Sequence, residues 1–144
     1  MQLVFSIAKN RLADAPLMKV AELIQWTEVD RHMQADYWRA TFRKGGRTPY
    51  DYRAMFRALL IARWYGLSYS KLRQALMVRL DFLVFCGFDG NAKLPEASTL
   101  SRFRSRLVRN GTLATMFNEV DGSLRKQGVA LSESKGALLN IVLR

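Results

Sequence analysis

Residues 50–66, YDYRAMFRALLIARWYG, constrain the fold more than any other stretch. On a helical wheel Met55, Phe56, Leu59, Leu60, Ile61 and Trp64 cover nearly every side and leave Arg53 and Arg57 a narrow polar stripe. A helix that is apolar almost all round does not lie on a surface; it runs through the middle of a bundle. Pro49 ahead of it and Gly66 behind it set its span at about 50–65, since proline suits a helix start and glycine the left-handed residue after a helix. Arg63 falls near the apolar side, and the sequence offers it no partner.

The flanking segments supply helices to enclose this one. Leu17, Val20, Leu23 and Ile24, with Trp26 at the edge, share one helical face, and Val29, Met33 and Tyr37 mark a second short helix, so 17–42 reads as an N-terminal helical pair. RKGGRTP, 43–49, is a basic, glycine-rich break. Ser68 is a good N-cap for a helix through about Val78, with Leu72, Ala75 and Leu76 inward. LDFLVFCGF, 80–88, suits a short helix or a turn of strand, and helix is the reading adopted; 89–95 is loop. A helix capped by Ser98 and ended by Gly111 follows. Another over about 112–127 carries Leu113, Met116, Phe117, Val120 and Leu124 at helical spacing. Residues 137–143 form an apolar run of strand length within a strand-prone or disordered tail. The expected architecture is all-α: a small helical bundle over 1–131 with a helix-turn-helix-like core at 50–110, and a tail at 132–144.

Several chemistries drop out. One cysteine, Cys86, excludes an internal disulfide framework, and Cys86 with the single histidine, His32, cannot complete a Cys/His metal site. The first fifteen residues hold an apolar run of only Leu3 to Ile7, too short for a signal core or a membrane span, so a cytoplasmic protein with no membrane partner is expected. Trp26, Trp38 and Trp64 are expected as core anchors, His32 at the surface, and Cys86 as a small buried hydrophobe. No glycine-rich phosphate loop and no nucleophile–histidine–acid set is present.

Charge points elsewhere. The chain carries a net +11 in 144 residues, and residues 50–110 hold eleven Lys/Arg against four Asp/Glu. A basic excess concentrated in one segment calls for a polyanionic partner. The helix at 98–110 concentrates it further, with Arg102, Arg104, Arg106 and Arg109 and no acid. Leu100, Phe103 and Leu107 form its core stripe. Opposite lie Ser101, Arg102, Ser105 and Arg109, with Arg106 on the shoulder and Arg104 nearer the core edge. Small hydroxyls permit close approach, and arginine can grip phosphate or fork onto guanine. The free amides at the Ser98 end suit a phosphate. The short helix, loop and arginine-loaded helix read as a helix-turn-helix variant.

The order of blocks also resembles a known family. Gly46-Arg47-Thr48-Pro49-Tyr50, then Trp64 to Ser68, then Arg79, Phe82 and Phe85, then Pro95 to Leu107 (PEASTLSRFRSRL) are similar to the N-terminal region of bacterial insertion-sequence transposases of the insertion-sequence-five type. The likeness runs from about residue 17 to the end, and the last block is the most specific. It implies a helical DNA-binding region ahead of a DDE catalytic core, with the element's terminal inverted repeats as target. It also implies that 132–144 is a remnant of the first catalytic strand. There the family's Gly-x-x-x-Asp-Ala-Thr is replaced by GALLNIV, so Asn140 stands at the position of the first catalytic Asp. Neutral Asn is a poor ligand for a hard cation, and the other two carboxylates lie beyond Arg144 in the family. The chain is therefore expected to be catalytically inactive as written. No cofactor is expected, Mg²⁺ belonging only to an intact core.

The expected function is sequence-specific binding of double-stranded DNA at element ends. Arg102, Ser105, Arg106 and Arg109 are expected in the groove and Thr99 and Ser101 near phosphates. Arg43, Lys44 and Arg47 are expected as a basic arm. The alternatives are a module, 112–143, that dimerises with intact transposase and inhibits it, and a fragment active only when joined to a separately encoded catalytic part.

Overall fold

A computed structural model describes residues 10–12, 15–34, 50–88 and 93–128. Among them the chain is a bundle of helices with no strand. The helices are α1 (Pro16–Leu23), α2 (26–34), α3 (Tyr52–Tyr65), α4 (Tyr69–Val78), α5 (Leu80–Cys86), α6 (Ala97–Arg109) and α7 (Thr112–Lys126). The strand-prone run at 137–143, Asn140, Trp38, and Arg43, Lys44 and Arg47 lie outside the described residues.

The all-apolar helix is where its pattern puts it. Nine of the fourteen residues of α3 are buried, which only a central position allows, and α4, α5 and α6 pack around it. Asp51 caps its start by accepting from Arg53 N at 2.9 Å. Gly66, at φ 66°, closes its end, with Leu67 N–H reaching back to the Ala62 carbonyl at 2.9 Å. That pair of features is a Schellman closure, and the positive φ there favours glycine. Ser68 then caps α4 through Lys71 N at 3.2 Å, as its position after the turn predicts.

The 80–88 stretch forms a helix over Leu80–Cys86. Phe82, Phe85 and Cys86, at i, i+3 and i+4, are buried on one face of α5, and Gly87 at φ 84° ends it. An aromatic cluster forms over this helix. Phe85 meets Trp26 and Trp64 edge to face, with ring centres 6.0 and 5.7 Å away. Arg57 leaves its polar stripe to lie 4.1 Å over the Trp26 ring and donates to the Phe85 carbonyl at 3.2 Å. Burial lowers the Arg57 guanidinium from its ordinary value, opposed by Asp30. The break between α1 and α2 is fixed by Trp26 itself, whose indole N–H donates to the Ala21 carbonyl at 2.9 Å.

α7 closes the bundle with Leu113, Met116, Val120 and Leu124 buried. Asp121, on its flank, supplies the partner that Arg63 lacks in the sequence, through two bonds of 3.0 and 2.9 Å. His32 is half-buried rather than at the open surface, because Glu119 of α7 lies 3.4 Å from its Nε2.

Cys86 is buried, and burial pushes its thiol well above the ordinary value of 9.0, opposed by Arg57. Burial also raises the phenols of Tyr65 and Tyr69 from 10.0. A folded pKa above the unfolded one means stability that is present below the unfolded value and lost as pH rises through the folded value. The thermal midpoint is therefore expected to fall once pH passes about 9–10, and a Tyr65→Phe/Tyr69→Phe variant should lose less over pH 10–11. Melting curves by circular dichroism at pH 8, 10 and 11 check this; parallel losses in both proteins would remove the two phenols as the cause.

Candidate nucleic-acid interface

The arginine-rich helix is fixed by three apolar anchors, Leu100, Phe103 and Leu107, all buried. They rest on α4, α7 and α3. Each fully buried side chain of this size is worth about 1.5–3 kcal/mol in area burial. These anchors fix which side of the thirteen-residue helix faces the bundle, in a helix that has no acid of its own. α5, which precedes α6 in the chain, packs instead on α3, α1 and α4.

The helix starts earlier than expected. Glu96 is its extended N-cap residue, its carbonyl accepting from Leu100 N at 3.1 Å, so Ser98 lies inside the first turn and caps nothing. The Glu96 carboxylate turns outward to Arg73 of α4 at 3.2 Å, pinning the start of α6 to its neighbour. No side chain caps the first turn. At the other end Gly111, at φ 72°, makes the turn into α7.

The arginines from α2 to α6 divide into two sets, while Arg125 of α7 reaches the Asp121 carbonyl at 3.4 Å. From α2 to α5 each has a partner. Arg31 meets Glu28 at 3.0 Å, Arg53 meets Asp30 at 3.2 Å and Arg79 meets Asp81 at 2.7 Å. Arg63 and Arg73 are paired as above, and Arg57 is held by the Phe85 carbonyl. On α6, Arg102, Arg104, Arg106 and Arg109 pair with no carboxylate among the described residues.

The predicted site residues fall as follows. Ser101, Arg102, Ser105 and Arg109 are exposed together on the outer face of α6. Thr99 and Arg106 are half-buried on its flank. Arg106 is partly absorbed into the fold: its guanidinium lies 5.5 Å from the Phe103 ring centre, and its Nε is buried without a partner. Arg104 is exposed, although the wheel puts it at the core edge. It reaches over the turn before α4 and lines a cleft with Ser68, Tyr69 and Phe117. Sequence reasoning missed this cleft. Nothing in the local pattern of Leu67, Ser68 and Tyr69 shows that Arg104 and Phe117 would arrive beside them.

Chemically, the outer face offers uncompensated guanidiniums, small hydroxyls and uncapped amides on a rigid helix. That donor set suits an extended polyanion. Among the described residues no group of three His, Cys, Asp or Glu is placed to hold a metal ion, and no helix is long and apolar enough to cross a membrane. Residues 5–106 match a family model described as a transposase domain (DUF772). No solved structure matches the chain.

Proposed function

The chain belongs to the transposase-domain family (DUF772), and from that premise we propose that it grips double-stranded DNA through α6, as the DNA-binding part of an insertion-sequence-five-type transposase acting at the element's terminal inverted repeats. The observation that carries this reading is the division of the arginines. Among the described residues, four arginines of one helix meet no carboxylate, whereas the six from α2 to α5 are each held by a carboxylate or a backbone carbonyl. Arg102, Ser105 and Arg109 take the groove or its edges, with Arg106 on the shoulder and Ser101 and Thr99 near phosphates. α6 then serves as the second helix of a helix-turn-helix-like unit, held in place by α4 and α7. Arg43, Lys44 and Arg47 are assigned to a basic arm on charge alone. Asn140 is a poor ligand for a hard cation, so no metal-dependent strand transfer is assigned to these residues.

Salt dependence tests the electrostatic part. If about four to six phosphates are neutralised, log K is expected to fall against log salt with a slope of about −4 to −5. Fluorescence anisotropy on duplex DNA between roughly 50 and 200 mM salt measures it. A flat response would end the DNA-binding reading.

A second reading, association with another copy or with an intact transposase, is favoured by one patch. Met77, Val78 and Leu80 expose 61, 80 and 42% of their surface at the junction of α4 and α5. The apolar face of α7 is occupied within its own bundle, so association through residues 112–126 is the weaker route. Concentration-dependent association without DNA, lost in Val78→Glu, would move the function to that patch.

A further inference from the structure

Arg104 is the α6 arginine that the outer-face reading does not use. It stands on the flank opposite Arg106 and lines an open cleft of about 530 Å³ where α3, α4, α6 and α7 meet. That volume lies in the range of small-ligand sites, roughly 300–1,000 Å³. Leu67 and Phe117 contribute an apolar wall, and Ser68 and Tyr69 put hydroxyls on the rim. The other cation in the cleft, Arg63, has no charge to spare. Asp121 holds it through two bonds of 3.0 and 2.9 Å, and its guanidinium lies 4.6 Å over the Phe117 ring, fixing that ring in place. Arg104 pairs with no carboxylate among the described residues. Burial raises the half-buried Tyr69 phenol from its ordinary value, and the nearby Arg104 charge opposes that rise.

The cleft thus holds one uncompensated guanidinium beside an apolar wall, with two hydroxyl donors on the rim. An apolar wall alone would suit a hydrocarbon, and a lone arginine any phosphate. Together they suit an anion carried on a flat body with apolar faces. Next to a helix face that grips DNA, a nucleotide whose base is unpaired has that form. We infer that the cleft receives one unpaired nucleotide of the bound DNA, its base against Leu67 and Phe117 and its phosphate on the Arg104 fork. The inference rests on the DNA-binding reading and deepens it, giving Arg104 a role separate from the outer face. A base already unpaired enters without the cost of unstacking, so frayed or single-stranded ends are preferred over intact duplex.

Adenosine 5′-monophosphate is the probe, followed by ¹H–¹⁵N correlation spectra of the full chain. Saturable shifts are expected at Leu67, Ser68 and Tyr69, with adenosine and inorganic phosphate at least tenfold weaker. Arg104→Ala should weaken AMP binding tenfold or more, and Arg104→Lys, which keeps charge but not the fork, should recover part of it. Arg31→Ala, on α2, should change nothing. Shifts confined to the outer face of α6, or Arg104→Ala binding as the parent does, overturn the inference. N-acetylphenylalanine binding as tightly as AMP also overturns it, by assigning the cleft to a carboxylate. Duplex binding measured in parallel separates the two readings. Duplex bound with a silent cleft removes only this inference, whereas AMP in the cleft with no duplex affinity removes the outer-face reading and leaves the nucleotide site.

Discussion

Replacing Arg102 and Arg109 together with alanine is expected to lower affinity for duplex DNA by about 2–6 kcal/mol, at least thirtyfold, from roughly 1–3 kcal/mol per arginine that reads a base. Both side chains are exposed and neither meets a carboxylate among the described residues, so their loss leaves no stranded partner. The melting midpoint should therefore stay close to that of the parent, as for surface substitutions in general. The two mechanisms open to these side chains differ in signature. If they read bases, the loss is concentrated on the preferred sequence. If they only grip phosphate, every sequence weakens alike and the salt slope falls by about one per arginine. Arg31→Ala removes the same charge from α2, where Glu28 already offsets it at 3.0 Å. Equal losses from Arg31→Ala and Arg102→Ala would mean that the +11 charge acts diffusely and that α6 is no special surface.

What could be read in advance, and what could not, follows from the range of the interactions. The position of α3 was legible because its apolar residues surround the helix, and a local period reports burial directly. The Gly66 closure and the Ser68 cap were legible because each is decided within a few residues. The outer face of α6 was legible for the same reason: Leu100, Phe103 and Leu107 fix which side faces in, and the arginines take the rest. Arg63 was not, because its partner Asp121 lies 58 positions away. Arg57 was placed on a polar stripe, yet it turns onto Trp26 and the Phe85 carbonyl, contacts that exist only once α2, α3 and α5 assemble. The start of α6 was misplaced by two residues, since the reading rested on Ser98 as cap while Glu96 takes the N-cap position and its carboxylate meets Arg73 on another helix. The cleft at Arg104 belongs to this second kind. Its wall comes from the turn before α4 and from α7, so no window of sequence contains it.

The largest effect on the fold is expected from Phe85→Ala, which should cost about 3–5 kcal/mol of unfolding free energy. Phe85 is fully buried, and its ring is the element shared by Trp26 and Trp64, at 6.0 and 5.7 Å. Truncation removes the transfer energy of the ring and leaves a cavity between three helices whose own side chains are held elsewhere. Trp26 is tied to Ala21 by its indole N–H and covered by Arg57, so it cannot swing in to fill the space. Two edge-to-face contacts, worth about 0.5–1.5 kcal/mol each beyond area, are lost with the ring. A small domain has about 5–15 kcal/mol in all, so the variant should sit near its threshold and melt far below the parent. Denaturant titration followed by tryptophan fluorescence measures this, because two of the three tryptophans flank the site. Phe85→Leu, which keeps most of the volume, should cost much less, and DNA affinity at low temperature should follow the folded fraction in both variants. A Phe85→Ala protein as stable as the parent would mean that α5 is a loosely docked appendage and that α3, α4 and α7 hold α6 without it.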